Sequence, residues 1–191
     1  MKIDRILYPI ETLGPGNRLV IWTKGCSKQC YKCANPELWS TSNARDITPE
    51  KVAQMVLNIH KETPIDGITI SGGDPLEQAD EVLALIQIIK PVIDDILVYT
   101  GFRYKEIKSM WSEKIVEKIE TYISVLIDGP YIDAFNDSKS ALVGSTNQEV
   151  IYFDEAVKYR YQEYLKEGRK VQNVFMGKRL ISVGIHNRNE V

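Results

Sequence analysis

The sequence has few of the residues that mark a secreted or membrane protein. Only three of its 191 residues are cysteine and two are histidine, so a disulfide framework is not expected. It contains no apolar run of about 18 residues, the length at which a membrane span is considered. The stretch Met1-Lys2-Ile3-Asp4 carries no signal-peptide pattern. We therefore expect a cytoplasmic protein with no membrane partner.

An excess of basic residues is also missing. The chain has 24 Lys and Arg against 26 Asp and Glu, a formal net charge of −2, and a basic excess is typical of nucleic-acid-binding proteins. No internal repeat or low-complexity tract is present. The hydrophobic fraction of 43% is ordinary for a globular protein, and the length fits one domain with a substantial core. We expect no nucleic-acid partner.

The three cysteines all fall within eight residues. Cys26, Cys30 and Cys33 follow the spacing C-x3-C-x2-C. Thiolates this close repel one another unless a cation shares them, and iron–sulfur clusters and zinc are the usual choices. Three ligands are one fewer than a closed site requires, so a 4Fe–4S cluster would keep one iron open. A structural zinc site would need a fourth ligand, for which only His60 and His186 are available as histidines.

Short apolar strands alternate with amphipathic helices through most of the chain. This alternation predicts an α/β fold with a parallel sheet and right-handed crossovers. About five βα units are too few for a closed eight-fold barrel, which typically needs ~250 residues, so we expect an open, partial β/α barrel. The predicted strands are 19–23, 67–71, 96–99 and 122–127, and the predicted helices are 49–59, 82–89 and 104–119, the last broken near Ser112.

The flanking segments have less regular patterns. Tyr8 to Asn17 is predicted to be a turn-rich loop, and Asp94-Asp95 a solvated turn. The C-terminal part is predicted to form a strand near 149–153, a helix over 155–166 with Tyr161 and Tyr164 inward, and a terminal hairpin over 174–183. We expect a core domain over residues 1–153 and a helix–hairpin extension over 154–191 that packs on it.

Polar and glycine residues follow the predicted strands. Gly72-Gly73-Asp74, Tyr99-Thr100 and Asp128 each come at or after the end of a strand, as the cysteine loop does. The carboxyl ends of parallel strands meet at one edge, where ligands bind in such folds. Two glycines allow close approach to a ligand, and an adjacent carboxylate can pair with an ammonium group. Taken singly, each segment could also be an ordinary turn.

The cysteine spacing directly after a predicted strand resembles the radical S-adenosylmethionine (SAM) superfamily. In that family the open iron binds the amino and carboxylate groups of SAM, and a Gly-Gly-Glu segment, resembled here by Gly72-Gly73-Asp74, holds the amino group. The resemblance implies a 4Fe–4S cluster on the three cysteines and SAM as cofactor, with no catalytic side chain beyond them. The further cofactor contacts that it implies are Tyr31, Asn35, Tyr99, Thr100 and Asp128.

A wider set of motifs occurs in the order 14–18, 33–39, 71–76, 99–102, 127–131 and 144–148. Together these motifs resemble the activating enzymes of anaerobic (class III) ribonucleotide reductase. That resemblance implies reductive cleavage of SAM, hydrogen abstraction from a glycine of the reductase partner, and an electron donor such as flavodoxin or ferredoxin. The alternative is a radical SAM enzyme that modifies a peptide or small molecule, although the chain has no further cysteines for auxiliary clusters.

Overall fold

The computed structural model describes residues 1–186, which form one seven-stranded sheet, a two-stranded hairpin and five α-helices. None of the helices in this part of the chain has both the length and the apolar character needed to span a membrane. The strands are β1 Lys2–Ile10, β2 Arg18–Thr23, β3 Arg45–Asp46, β4 Gly67–Gly72, β5 Ile96–Tyr99, β6 Val125–Asp128, β7 Glu149–Tyr152, β8 Val171–Met176 and β9 Arg179–Gly184. The helices are α1 Pro49–Glu62, α2 Ala79–Ile89, α3 Tyr104–Met110, α4 Glu113–Tyr122 and α5 Glu155–Lys166.

Four parallel strands form the centre of the large sheet. Its order is β3-β1-β2-β4-β5-β6-β7, in which β2, β4, β5 and β6 run parallel. On the flanks, β1 and β7 are antiparallel to their neighbours, and β3 pairs only with the start of β1. Within residues 1–186 the sheet does not close into a barrel, because β3 and β7 are its two ends. The predicted α/β class with a parallel-rich sheet is confirmed.

The first strand was not expected from the sequence. β1 extends through Ile10, so the predicted loop is wrong for the segment from Tyr8 to Ile10. The strand pairs with β2, but its register shifts between Ile3 and Arg5 and again between Leu7 and Ile10. These irregularities break the alternation of buried and exposed residues on which a sequence-based strand prediction depends.

Other boundaries differ by a few residues. The predicted helix over 104–119 is two helices, because Ser112 has an extended backbone and begins a new helix. Tyr122 belongs to α4, so the following strand starts only at Val125. On α1, the apolar residues Val52, Met55 and Val56 lie at helical spacing, and Val52 and Val56 are buried whereas Met55 is 46% exposed. The predicted helix over 155–166 and the terminal hairpin are confirmed.

Both faces of the sheet are covered. Alternate residues of β4 and β5, such as Ile70 and Val98, pack into the largest hydrophobic cluster together with α1, α2 and α4. On the opposite face, Leu97 and Ile127 pack with α5, and Val20 packs with the hairpin residue Val183. The C-terminal helix and hairpin thus contribute to the core of the molecule. Residues 187–191 of the predicted extension lie outside the described residues.

A buried ion pair closes the amino ends of the parallel strands. Arg18, at the start of β2, and Asp95, just before β5, are both fully buried, with 3.1 Å between Nη1 and Oδ2. The guanidinium also donates to the Thr69 hydroxyl at 2.7 Å and to the Ile68 carbonyl at 2.7 Å. Because a buried charge is costly unless its hydrogen bonds are satisfied, this degree of pairing is what allows Arg18 to be buried.

Helix α5 completes this polar cluster. The Tyr161 hydroxyl donates to Asp95 Oδ1 at 2.7 Å, and Arg160 lies 3.2 Å from Asp95 Oδ2. The predicted solvated turn is therefore wrong for Asp95, whereas Asp94 is exposed. Tyr161 is fully buried and Tyr164 is 7% exposed, which confirms their predicted inward orientation.

We predict that Tyr161→Phe lowers the free energy of unfolding by about 1.5–3 kcal/mol, the range for a hydrogen bond to a charged group. The substitution removes one buried donor from Asp95 and leaves the ring in place. Tyr159→Phe on the same helix is the control, because Tyr159 is 70% exposed, and it should change the value by about 0.5 kcal/mol or less. Urea unfolding of the three proteins measures the difference, and equal values for both variants would contradict the role assigned to Tyr161.

Candidate functional site

The sequence-predicted site segments meet at the carboxyl edge of the parallel strands. The cysteine loop follows β2, Gly72 ends β4, Thr100 follows β5, and Asp128 ends β6. The register places Thr23 beside Gly72 and Tyr99 beside Ile127, so the four strands end level with one another. The structure thus brings these segments to one rim, as the topology of parallel sheets requires.

Two backbone hydrogen bonds anchor the cysteine loop at its base. Gly25 N donates to Leu38 O at 2.9 Å and Cys26 N donates to Trp39 O at 3.0 Å, so the two ends of the loop are joined to each other. Within it, Gln29 and Lys32 have positive φ angles of 42° and 56°. These two left-handed residues turn the chain between successive cysteines, a conformation that most residues rarely adopt and that the surrounding structure must hold in place.

All three cysteines are free thiols and partly buried. Asn35 N donates a hydrogen bond to Cys33 Sγ at 3.4 Å. Burial raises the pKa of Cys26 and Cys30, while nearby backbone groups, those of Lys28 and Gln29 for Cys26 and that of Tyr131 for Cys30, act in the opposite direction.

This donor set fits an iron–sulfur cluster. Hydrogen bonds to the ligating sulfurs are among the means by which proteins stabilise and tune such clusters. Three thiols on one loop can each bind a different iron, so they need not converge on one point. Within residues 1–186, no group of three or more His, Cys, Asp or Glu side chains is gathered closely enough to hold a single metal ion. His60, a conceivable zinc ligand, instead accepts a hydrogen bond from Ile65 N through Nδ1.

The two glycines after β4 are required by packing within the chain. Gly72 has a φ of 120°, and a Cβ there would overlap with the backbone of Thr23 at the end of β2. A Cβ on Gly73 would overlap with the Gly25 carbonyl. Gly73 N and Asp74 N donate to Thr23 O and Gly25 O at 2.9 and 2.7 Å. The glycines therefore let this loop lie directly against the base of the cysteine loop.

Asp74 connects the loops after β4 and β5. Its side chain is 1% exposed; Oδ1 accepts from Leu76 N at 3.0 Å and from the Thr100 hydroxyl at 2.8 Å, and Oδ2 accepts from Gly101 N at 2.8 Å. Burial raises the pKa of Asp74 to about 6, while the donors from Gly101, Thr100 and Leu76 act in the opposite direction. The carboxylate thus organises the rim, and pairing with the SAM ammonium stays a prediction.

Asp128 has a similar connecting role at the end of β6. It is 6% exposed; Oδ2 accepts from Tyr104 N at 2.7 Å, and Oδ1 accepts from Glu149 N at 3.1 Å. The side chains of Asn147 and Gln148 fold back to donate to Pro130 O and Gly129 O. The segment 144–148 therefore forms part of the same rim.

Tyr99, Tyr31 and Asn35 lie in different surroundings. The Tyr99 ring packs into the clusters on the α5 side of the sheet, and its buried hydroxyl has no hydrogen-bond partner within residues 1–186. Burial raises its pKa. Tyr31 is 75% exposed between the second and third cysteines. Asn35 Oδ1 accepts from Arg5 at 3.1 Å. Their contacts with a cofactor stay predictions.

Sequence reasoning missed two side chains that fix the cysteine loop. Glu77 accepts a hydrogen bond from the backbone of Ser27, and Lys28 reaches across to Phe102 and Glu106 beyond β5. Only the position of Lys28 between two cysteines could have drawn attention to it. Both contacts join residues from separate loops, and nothing in the local sequence indicates them.

Comparison with known proteins gives one family and a set of close relatives. The family model of the 4Fe-4S single cluster domain matches residues 12–151. Proteins named "Anaerobic ribonucleoside-triphosphate reductase-activating protein" are similar to this chain. The one from Enterobacteria phage T4 is 32% identical over 78% of this chain and 93% of its own length. That of Vibrio cholerae is 33% identical over 76% and 95%, and that of Escherichia coli K12 is 30% identical over 75% and 94%.

We predict that Asp74→Asn changes how stability depends on pH. Because the folded-state pKa of Asp74 lies near 6, above the ordinary value of 3.8, the folded chain holds more protons than the unfolded chain between these values. This contribution to stability is full below about pH 4 and is lost as pH rises through about 6, with an upper size of roughly 3 kcal/mol.

Urea unfolding from pH 4 to 7 should therefore show the unsubstituted chain gaining stability relative to D74N as pH falls. Asp80→Asn, an exposed position on α2, controls for removing a carboxyl from a nearby segment. A constant difference between D74N and the unsubstituted chain across this pH range would contradict the assigned pKa.

Proposed function

Because this chain belongs to the 4Fe-4S single cluster domain family and to the family of anaerobic ribonucleoside-triphosphate reductase-activating proteins, we propose that it activates such a reductase. It does so with a 4Fe–4S cluster and SAM, by generating a glycyl radical on the partner. The names of the relatives support the partner, and the matched family supports the cluster. The observation that carries the proposal is the set of three free, partly buried thiols on one loop at the carboxyl edge of the parallel strands.

Cys26, Cys30 and Cys33 would hold the cluster, and with three protein ligands one iron would stay open to SAM. Cys26, Cys30 and Cys33 are the only cysteines of the chain, so no fourth thiolate can close the site. When bound, such a cluster supplies a single electron that breaks a carbon–sulfur bond of the SAM sulfonium. The chain itself contributes binding, orientation and exclusion of competing reactions, as is general for cofactor enzymes.

The fold proposed for this chemistry is the partial barrel of the radical SAM type. Four parallel strands with helices α1, α2 and α4 on one face, and a sheet that stays open within residues 1–186, support it. We take residues 1–153 as the core domain and the segment from 154 as an extension, whose helix α5 packs on the opposite face.

The rim residues position the walls of the SAM site. Asp74 holds Thr100 and Gly101 in place through two hydrogen bonds, and Asp128 fixes the start of α3 against β7. Gly72-Gly73 carries backbone carbonyls at the same edge, which can accept hydrogen bonds from an ammonium group. No side chain is assigned as a general acid or base, because the bond cleavage is an electron transfer.

The partner and the electron donor must both reach this rim. Exposed Tyr31 and Phe135 lie on the cysteine loop and on the segment after β6, and the Lys32–Asp133 ion pair joins these two segments. A wide rim suits a loop of a large protein, and a flavodoxin or ferredoxin is the proposed donor. Three free thiols favour the reducing cytoplasm as the compartment.

We predict that the chain, reconstituted anaerobically with iron and sulfide, converts SAM to 5′-deoxyadenosine when dithionite is added. With anaerobic ribonucleotide reductase present, a glycyl radical signal should appear in the electron paramagnetic resonance spectrum of the reductase. Cys30→Ser removes an iron ligand and should abolish both products, whereas Ser27→Ala, in the same loop, should retain them.

Two results would separate the parts of this proposal. SAM cleavage without a glycyl signal would overturn the reductase as partner and keep the cofactor chemistry. Stoichiometric zinc with intact SAM would overturn the enzymatic function altogether.

A further inference from the structure

We propose that Lys28 is a positioning residue that locks the cysteine loop to the loop after β5 and thereby fixes a positive charge at the rim. The inference rests on the proposed function insofar as that function places a cluster on this loop. Lys28 lies between Cys26 and Cys30, two residues from each. Its side chain is 25% exposed and is directed across the rim rather than into solvent.

The far end of Lys28 is held by two groups beyond β5. Its Nζ lies 4.1 Å from the centroid of the Phe102 ring and 3.6 Å from Glu106 Oε2. Phe102 is 8% exposed and packs edge-on against Trp111 at 4.8 Å, so it belongs to the hydrophobic core. Glu106 Oε2 also accepts from Arg103 N at 3.0 Å, which fixes the carboxylate at the start of α3.

The stem of Lys28 is fixed as well. A Cβ placed on Gly101 would lie 3.0 Å from Lys28 Cγ and 3.3 Å from Asp74 Oδ2. Gly101 is thus enclosed between the lysine stem on one side and the carboxylate that accepts its N–H on the other. Through Gly101 and Asp74, Lys28 connects the cysteine loop with the loops that follow both β4 and β5.

A cation fixed in this place should favour the reduced cluster. One-electron reduction adds a negative charge to the cluster, and a nearby positive charge held in a partly buried site stabilises that charge more than a mobile, solvated one does. Lys32 offers the matched comparison within the same loop. Its Nζ pairs with Asp133 at 3.5 Å, and its side chain is 49% exposed.

Redox titration of the reconstituted cluster tests whether the positive charge of Lys28 raises the midpoint potential of the cluster. Lys28→Met should make the midpoint potential more negative, with a roughly tenfold lower ratio of reduced to oxidised cluster at a fixed ambient potential, about 59 mV for a one-electron couple. Lys28→Arg keeps the cation and its contact with the Phe102 ring and should restore the potential. Lys32→Met should produce a smaller shift.

Hydrogen exchange of the cluster-free full-length chain tests whether Lys28 holds the cysteine loop against the loop after β5. Lys28→Met should increase exchange in both 26–33 and 99–106, whereas Lys28→Arg and Lys32→Met should leave 99–106 as it is in the unsubstituted chain. The fold of each variant is checked by its unfolding transition.

The outcomes separate this inference from the proposed function. If the unsubstituted chain cleaves SAM but K28M matches it in potential and in exchange, the inference fails and the function stands. Equal potential shifts in K28M and K32M would also overturn it, since the charge of the loop and not the fixed position would then matter. If no cluster assembles at all, the proposed function fails, and the exchange measurement alone decides the positioning role.

Discussion

The buried carboxylate of Asp74 is the contact on which the arrangement of the rim depends. It binds the loops after β4 and β5 to each other, while its own N–H donates to Gly25 at the base of the cysteine loop. Three strand ends are therefore joined at one residue. Since a catalytic constellation must be held within a fraction of an ångström, such a connection matters more than the identity of any single rim side chain.

The two ends of the parallel strands have different roles, structural at the amino ends and functional at the carboxyl ends. At the amino ends, Arg18 and Asp95 form a closed, fully buried polar cluster that Tyr161 completes from α5. At the carboxyl ends the cysteine loop is partly exposed and keeps free thiols. This separation agrees with the general pattern of βα folds, in which one end of the strands stabilises the structure and the other carries the chemistry. Tyr161 and Arg160 of helix α5 act at the stabilising end.

The sequence was sufficient for features that depend on local pattern and was insufficient for those that depend on neighbours distant in the chain. The cysteine spacing identified the candidate ligands, and the strand–helix alternation placed four segments at one edge. By contrast, Asp95 follows an exposed acid and looks solvated, and only its pairing with Arg18, 77 residues away, accounts for its burial. Strand β1 was not predicted because its irregular register breaks the alternation of buried and exposed residues. The contacts of Lys28 with Phe102 and Glu106 likewise have no local signature.

The central claim is that three cysteines hold a cluster with one iron open to SAM. Mössbauer spectroscopy of the chain reconstituted with ⁵⁷Fe, recorded before and after addition of SAM, tests it most directly. We predict a spectrum in which one iron of four changes its parameters when SAM is added, while the other three stay as they were. Four irons that do not respond to SAM, or the failure of iron to bind where zinc does, would contradict the account.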